Sequence, residues 1–215
     1  MSLNTSSRRL GLVDYGSGNL RSVQRALEYS GASVVHVTRE VDAKGCSALV
    51  VPGVGSFGDC ARQLREAGLW EFIRGWLADG LPYLGICLGY QLLFEASEES
   101  PGVEGFGALK GKVVHFPKDA GLKIPHMGWN QLHVRRPEDR LMKGLCNDPD
   151  FYFVHSYYPV PEEEGVVTST CGYGGEFAAS VTRGNLSAVQ FHPEKSQTLG
   201  LAMLRNFIDS LSPVS

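Results

Sequence analysis

"LPYLGICLGYQLLFEAS", residues 81–97, is an apolar run that stops on a cysteine placed between two glycines. "LPYLGI" has the short, continuous hydrophobicity of a strand buried on both faces, and "LGYQLLFEAS" has the composition of a helix. Cys87 then falls at a strand-to-helix turn, with Gly85 and Gly89 two residues away on either side. Such an elbow needs a strained backbone and close approach of neighbouring chain, and glycines permit both. A helix starting at the sulfur would favour thiolate over thiol, and the Leu88 N–H just past it would point toward a developing oxyanion. A buried structural cysteine fits the same pattern, so the elbow alone leaves both readings open.

Outward from this point the chain repeats the strand–helix alternation. "LGLVDY" (10–15) reads as a strand, "GSGN" as a turn, "LRSVQRALEYSG" as a helix closed by Gly31, and "SVVHVT" as a second strand. "CSALVVPG" is another strand, running into the glycine-rich "PGVGSFGD" and then helical sequence through "CARQLREAGLWEFIRGWLADG". This rhythm predicts an α/β fold with a mostly parallel central sheet flanked by helices. After about residue 105 the strand-like segments "GKVVHF", "NQLHVRR", "DFYFVHSYYPV", "GVVTST", "EFAASVT" and "LSAVQF" predict an added antiparallel or mixed β region, with "RGN" (183–185) as a hairpin turn. In the closing "SQTLGLAMLRNFIDSL", Leu199, Met203, Leu204, Phe207 and Ile208 form one helical stripe suited to core packing. Residues 1–8 read as a flexible leader, and 9–212 as a single domain without repeats or linkers.

Bulk properties narrow the function classes. The chain has 215 residues, a formal net charge of −3 and only short basic clusters, which speaks against nucleic acid or an acidic membrane as partner. No apolar segment reaches the length of a membrane span. The five cysteines are odd in number and scattered, with no C-x-x-C pair, so neither a metal site nor a cofactor is expected, and a reducing cytoplasmic location fits best. "GSGN" lacks the longer glycine fingerprint and a following Lys-Ser/Thr, so it reads as a plain turn.

A nucleophilic cysteine needs a base, and the base an orienter. "AVQFHPEKS" (188–196) supplies both. Pro193 restricts His192 to extended backbone, and residues two apart in an extended segment project on one side. Glu194 is then placed to hold one imidazole nitrogen while the other faces the thiol. Of the remaining histidines, His36 and His115 fit packed or surface positions and His133 sits beside an arginine pair. His126 and His155 lie in aromatic-rich loops, where each has some claim to a binding role.

"PGVGSFGD", "GICLGYQLLFE" and "FHPEKS", in this order and spacing, resemble the triad (class I) glutamine amidotransferase family. "VDYGSGNLRSV", "PHMGWNQL" (125–132), "FYFVHSYY" (151–158) and "HPEKSQTLG" are similar to the glutaminase subunits of imidazole glycerol phosphate synthase. The resemblance runs from about residue 10 to the last helix. It implies that Cys87 attacks the side-chain amide of glutamine, that His192 protonates the leaving ammonia and that Glu194 orients His192. It places the oxyanion hole at Val54, bracketed by Gly53 and Gly55, together with Leu88, and mobility of that peptide would act as an on/off switch. Gly53, Gln91, Glu99, Ser156 and Tyr157 are the implied substrate contacts. The implied partner is a (βα)8-barrel cyclase that receives the ammonia and makes imidazole glycerol phosphate and AICAR in histidine biosynthesis, with Trp129, Asn130, Tyr152 and Lys195 toward that interface. Tyr90 departs from the pattern, since related subunits commonly carry Met there, and altered packing beside the substrate site is expected. Amidotransferases serving pyridoxal phosphate, anthranilate or aminodeoxychorismate synthesis, a catalytically silent scaffold and a γ-glutamyl peptidase are the alternatives. The partner-type segments argue against the other amidotransferases and the peptidase, and the intact Cys87, His192 and Glu194 against the scaffold.

Overall fold

A computed structural model describes residues 8–16, 18–117 and 121–212. Its first half is built from β1 (Arg9–Val13), α1 (Leu20–Tyr29), β2 (Ser33–Val37), β3 (Ala48–Gly53), α2 (Phe57–Glu66), α3 (Trp70–Ala78), β4 (Tyr83–Cys87) and α4 (Leu88–Gln91). The second half contributes β5 (Ala96–Ser97), β6 (Gly111–His115), β7 (His126–Val134), β8 (Asp150–His155), β9 (Tyr157–Pro161), β10 (Val167–Gly172), β11 (Glu176–Arg183), β12 (Leu186–Val189) and α5 (Gln197–Ser210). One nine-stranded sheet runs β2-β1-β3-β4-β12-β11-β10-β7-β8, and β5-β6-β9 form a small second sheet. Pairings from β2 through β12 are parallel, and those from β12 through β8 are antiparallel. The α/β architecture with a parallel centre and an added antiparallel region is the one the sequence predicts.

Alternation along the central strands feeds two cores. Ala48 and Val50 of β3 pack on the side of α1 and α5, where Leu27, Met203, Leu204 and Phe207 are fully enclosed. Leu49 and Val51 face α2 and α3, with Phe57, Leu64 and Ile73. The α5 stripe is therefore core, with Leu199 partly buried at its start.

Two predicted helices are shorter than their sequences suggest. The stretch after "PGVGSFGD" breaks at Gly68, whose φ of 71° ends the first helix and separates α2 from α3. The helix after Cys87 lasts one turn. The carbonyls of Leu92, Leu93, Phe94 and Glu95 accept from the N–H groups of Phe106, Leu109, Gly107 and Gly105, so the 105–109 loop takes the acceptors that a longer helix would use. Of the leader expected over residues 1–8, all but Arg8 lies outside the described residues. The Arg8 carbonyl accepts from the Ser33 N–H at 2.8 Å and its Nε donates to the Leu211 carbonyl at 3.2 Å.

Topology fixes the site. β12 enters the sheet beside β4 with Val189 opposite Ile86, while Gly53 of β3 pairs with Cys87. The carboxyl ends of β3, β4 and β12 thus converge, the position where open α/β sheets hold ligands.

Candidate active site

Cys87 has φ 54° and ψ −105°, a conformation that residues with a side chain rarely adopt. Its glycine neighbours make room for it. A Cβ on Gly89 would stand 1.8 Å from the Val51 carbonyl oxygen, and one on Gly85 would stand 2.5 Å from the Gly89 oxygen. β3, β4 and the turn after it therefore meet backbone to backbone. Because α4 is a single turn, it does not set the end of a long helix dipole against the sulfur.

His192 leaves β12 in extended geometry, φ −105° and ψ 94°, before a 3-10 turn over Pro193–Lys195. Its N–H donates to the Tyr152 carbonyl at 2.9 Å, and its carbonyl accepts from Ser196 Oγ at 2.7 Å. With its backbone fixed on both sides, the ring places Nδ1 2.8 Å from Glu194 Oε1, and both side chains are almost wholly buried. Burial opposes a charge on the imidazole, yet the Cys87 sulfur and the Glu194 carboxylate outweigh it, and the His192 pKa is pushed up to about 10. Among the described residues the other ring nitrogen, Nε2, makes no hydrogen bond of ordinary geometry, and the Cys87 sulfur is the group whose charge it feels. Gln190 Nε2 approaches the Cys87 sulfur at 3.7 Å from a fully buried position.

These groups open on a cavity of about 250 Å³ lined by Val54, Gly55, Cys87, Leu88, Gln91, Glu99, Pro125, Val154, His155, Ser156, Tyr157, His192 and Lys195. Its volume falls below the roughly 300–1,000 Å³ of sites for drug-sized ligands and suits a molecule the size of an amino acid. Val54, Leu88, Gln91, Glu99, Ser156 and Tyr157, expected around the substrate, line this cavity, and so does Lys195, which was expected only toward the partner interface. Glu194 stands behind His192 instead of in the wall. Gly53 lies beneath, where an added Cβ would be 2.6 Å from Leu88 Cβ. The half-buried Glu99 carboxyl is raised above its ordinary range by burial, against a 2.7 Å hydrogen bond from the Phe57 N–H. Gln91 Nε2 donates to the Tyr157 carbonyl at 2.9 Å, which ties α4 to β9.

The remaining predicted residues sit outside the cavity. Trp129 is half-exposed and edge-on to Tyr152, with ring centroids 6.1 Å apart, and Lys195 Nζ lies 5.7 Å from the same tyrosine ring. These three form one surface patch that reaches the cavity rim through Lys195. The side chain of Asn130 turns inward, its Nδ2 donating to the Gly172 carbonyl at 3.0 Å. Tyr90 is also outside the lining: it is fully buried, with its hydroxyl donating to the Ala178 carbonyl at 3.3 Å. Gly55, Pro125, Val154 and Gln190 were not expected at the site. Gln190 had a signal in its position two residues before His192 at the end of a buried strand, whereas Pro125 and Val154 arrive only through the β7–β8 pairing. Among the described residues no three His, Cys, Asp or Glu side chains gather as a metal-binding group.

Comparison with known proteins agrees with this geometry. A family profile described as glutamine amidotransferase class-I matches residues 11–211. The imidazole glycerol phosphate synthase subunit HisH of Moorella thermoacetica is 50% identical over 200 residues, covering 93% of this chain and 94% of that protein. The subunit HisH of Syntrophotalea carbinolica is 48% identical over 203 residues, covering 92% of this chain and 98% of that protein. Among solved structures, PurLQS from Thermotoga maritima superimposes with a TM-score of 0.73 at 23% identity, covering 94% of this chain and 98% of that chain, a likeness of fold. By a match along nearly its whole length, the chain belongs to the class-I glutamine amidotransferase family of enzymes, in the group of imidazole glycerol phosphate synthase HisH subunits.

Proposed function

We propose that this chain hydrolyses glutamine through Cys87, His192 and Glu194 and passes the ammonia to a (βα)8-barrel cyclase partner. The observation that carries the reading is the buried His192–Glu194 pair, 2.8 Å apart, beside a cysteine held in a strained elbow at the end of a small cavity. The Cys87 sulfur forms a bond to the glutamine side-chain carbonyl carbon, whose oxygen takes the negative charge. N–H groups of Val54 and Leu88 receive that charge, each worth about 10²–10³ in turnover. When the C–N bond breaks, the proton held on His192 goes to the departing nitrogen, and ammonia leaves. Water, giving a proton back to His192, then attacks the thioester and releases glutamate.

Glu194 keeps the imidazole oriented and its charge neutralised in a buried place. The Glu99 carboxylate suits the α-amino group of glutamine, and the Ser156–Tyr157 main chain its α-carboxylate, with Gln91 and Gly53 shaping the floor. The patch of Trp129, Tyr152 and Lys195, with Asn130 beneath it, is the face we assign to the cyclase. The relatives' name, imidazole glycerol phosphate synthase subunit HisH, supports imidazole glycerol phosphate as a product of the complex, and AICAR as the second product rests on the sequence resemblance alone. Residues 9–212 act as one domain in this reading.

The test is glutamate release from glutamine by the chain alone, then with the cyclase and its nucleotide-like ligand. Strong stimulation by both is expected, and high activity indifferent to the cyclase would assign the site to another amidotransferase. Cys87→Ala should abolish hydrolysis while leaving complex formation intact. Residual glutaminase activity in that variant at wild-type level would remove Cys87 from the mechanism.

A further inference from the structure

The Tyr157 carbonyl, at the wall of the cavity, receives two donors. One is Gln91 Nε2; the other is His155 Nδ1 at 2.9 Å. Behind His155 stands His126, its cross-strand partner on β7, with Nδ1 3.0 Å from His155 Nε2. Behind His126 stands Asn130, with Nδ2 3.1 Å from His126 Nε2. Four residues thus form an unbroken hydrogen-bonded chain from β7 to the cavity.

The chain has one consistent direction. A carbonyl only accepts, so His155 must carry its proton on Nδ1. Burial holds His155 neutral, with its pKa pushed down to about 3, so its Nε2 has a lone pair and must accept. His126 therefore donates from Nδ1. Burial keeps it neutral as well, near pKa 4, so its Nε2 accepts from Asn130. The other Nδ2 hydrogen of Asn130 goes to the Gly172 carbonyl, which fixes which end of that amide is the donor. Reversing any link would set two lone pairs, or two hydrogens, against each other. The rings are also held in place, His126 being stacked between Phe153 and Tyr173 at centroid distances of 4.8 and 4.1 Å.

We infer that His155, oriented by His126 and Asn130, is a positioning residue that sets the Tyr157 main chain for binding the α-substituents of glutamine. The inference rests on reading the cavity as a glutamine site. His155 does not touch the reacting amide; it acts through the Tyr157 carbonyl. A neutral ring serves best here, because a charged one would oppose the imidazolium of His192.

Two measurements test it in the full chain with its cyclase. Nitrogen-15 NMR of the wild type should give both His126 and His155 as Nδ1–H tautomers, the opposite of the ordinary preference for Nε2–H. An Nε2–H tautomer at either ring would overturn the chain. In kinetics, His155→Phe should raise KM for glutamine about five- to tenfold, the factor one neutral hydrogen bond supplies, with kcat within about twofold. His155→Asn places an amide donor where Nδ1 sits and should return KM to within about twofold of wild type. An unchanged KM in His155→Phe, or a His155→Asn no better than Phe at equal folded fraction, would leave His155 as packing only. A wild type that releases no glutamate even with the cyclase would instead remove the glutamine reading, and the positioning role with it, whatever the tautomers.

Discussion

Gly89→Ala tests the claim that the nucleophile elbow is set by backbone contact. The new Cβ would lie 1.8 Å from the Val51 carbonyl oxygen and 2.8 Å from its carbon. Ordinary contact begins near 3.4 Å, so the two chains must part by roughly 1.5 Å. Neither yields easily. Val51 is central in β3, which is paired with β1 on one side and β4 on the other, and Gly89 is fixed by the Tyr83 hydroxyl donating to its carbonyl at 2.8 Å. Overpacking of this kind costs about 1–3 kcal/mol, and contact with backbone belongs at the upper end. Whatever movement relieves the contact also shifts Leu88 and Cys87, and a misplacement of about 1 Å costs on the order of 10²-fold in rate. Urea unfolding of wild type and variant gives the first quantity, and glutamate release per folded molecule gives the second. Stability and turnover both equal to wild type would refute the backbone-contact account of the elbow.

Gly75→Ala is the opposite case: it lies inside α3 with no heavy atom within 4 Å of the added Cβ, so a gain of about 0.5–1 kcal/mol is expected in thermal melts, with activity unchanged. Removing the charge behind the base should show in pH dependence. The folded chain holds the His192 proton up to about pH 10 while the unfolded chain releases it near 6.5, so this contribution is full below pH 6.5 and declines as pH rises toward 10. Glu194→Gln should flatten that decline, read by urea unfolding at pH 6.5, 7.5 and 8.5, and identical slopes in the two proteins would contradict the assignment. Tyr15→Phe removes a buried hydroxyl that donates to the Pro52 carbonyl at 2.9 Å, just before the Gly53–Val54 peptide; a loss of about 1–3 kcal/mol is expected in chemical denaturation.

The sequence made the parallel half legible because its central strands β3 and β4 are short apolar runs bounded by proline or glycine, with helical sequence after each. The Cys87 elbow and the His192–Glu194 pair were legible because their residues are adjacent in sequence, so local geometry alone brings Glu194 to His192 Nδ1. The length of α4 was not, because the acceptors that end it are claimed by a loop more than ten residues later. His155 was the hardest to place. Its role comes from two partners, His126 in β7 and Tyr157 in β9, and nothing in "FYFVHSYY" states that β8 will lie beside "PHMGWNQL". Short-range order is written in short-range sequence, whereas the cavity wall is written in the pairing of the antiparallel region.

Energetic asymmetry separates the site from the rest of the core. Among the described residues, five buried side-chain polar atoms have no hydrogen-bond partner, and three of them, Gln91 Oε1, His192 Nε2 and Glu194 Oε2, belong to the site. Each such atom costs about 1–3 kcal/mol, which a core built only for stability would avoid by using apolar groups. The strained Cys87 backbone adds a cost of the same order. The other two, Ser47 Oγ and Gln63 Oε1, are scattered, whereas Thr168, Ser169 and Ser180, all buried in β10 and β11, satisfy one another at 2.5–2.6 Å. A protein that satisfies buried hydroxyls so closely in one sheet, yet leaves Gln91 Oε1 and His192 Nε2 incompletely bonded at the wall of a cavity beside a strained cysteine, is retaining those two atoms for a ligand that completes them.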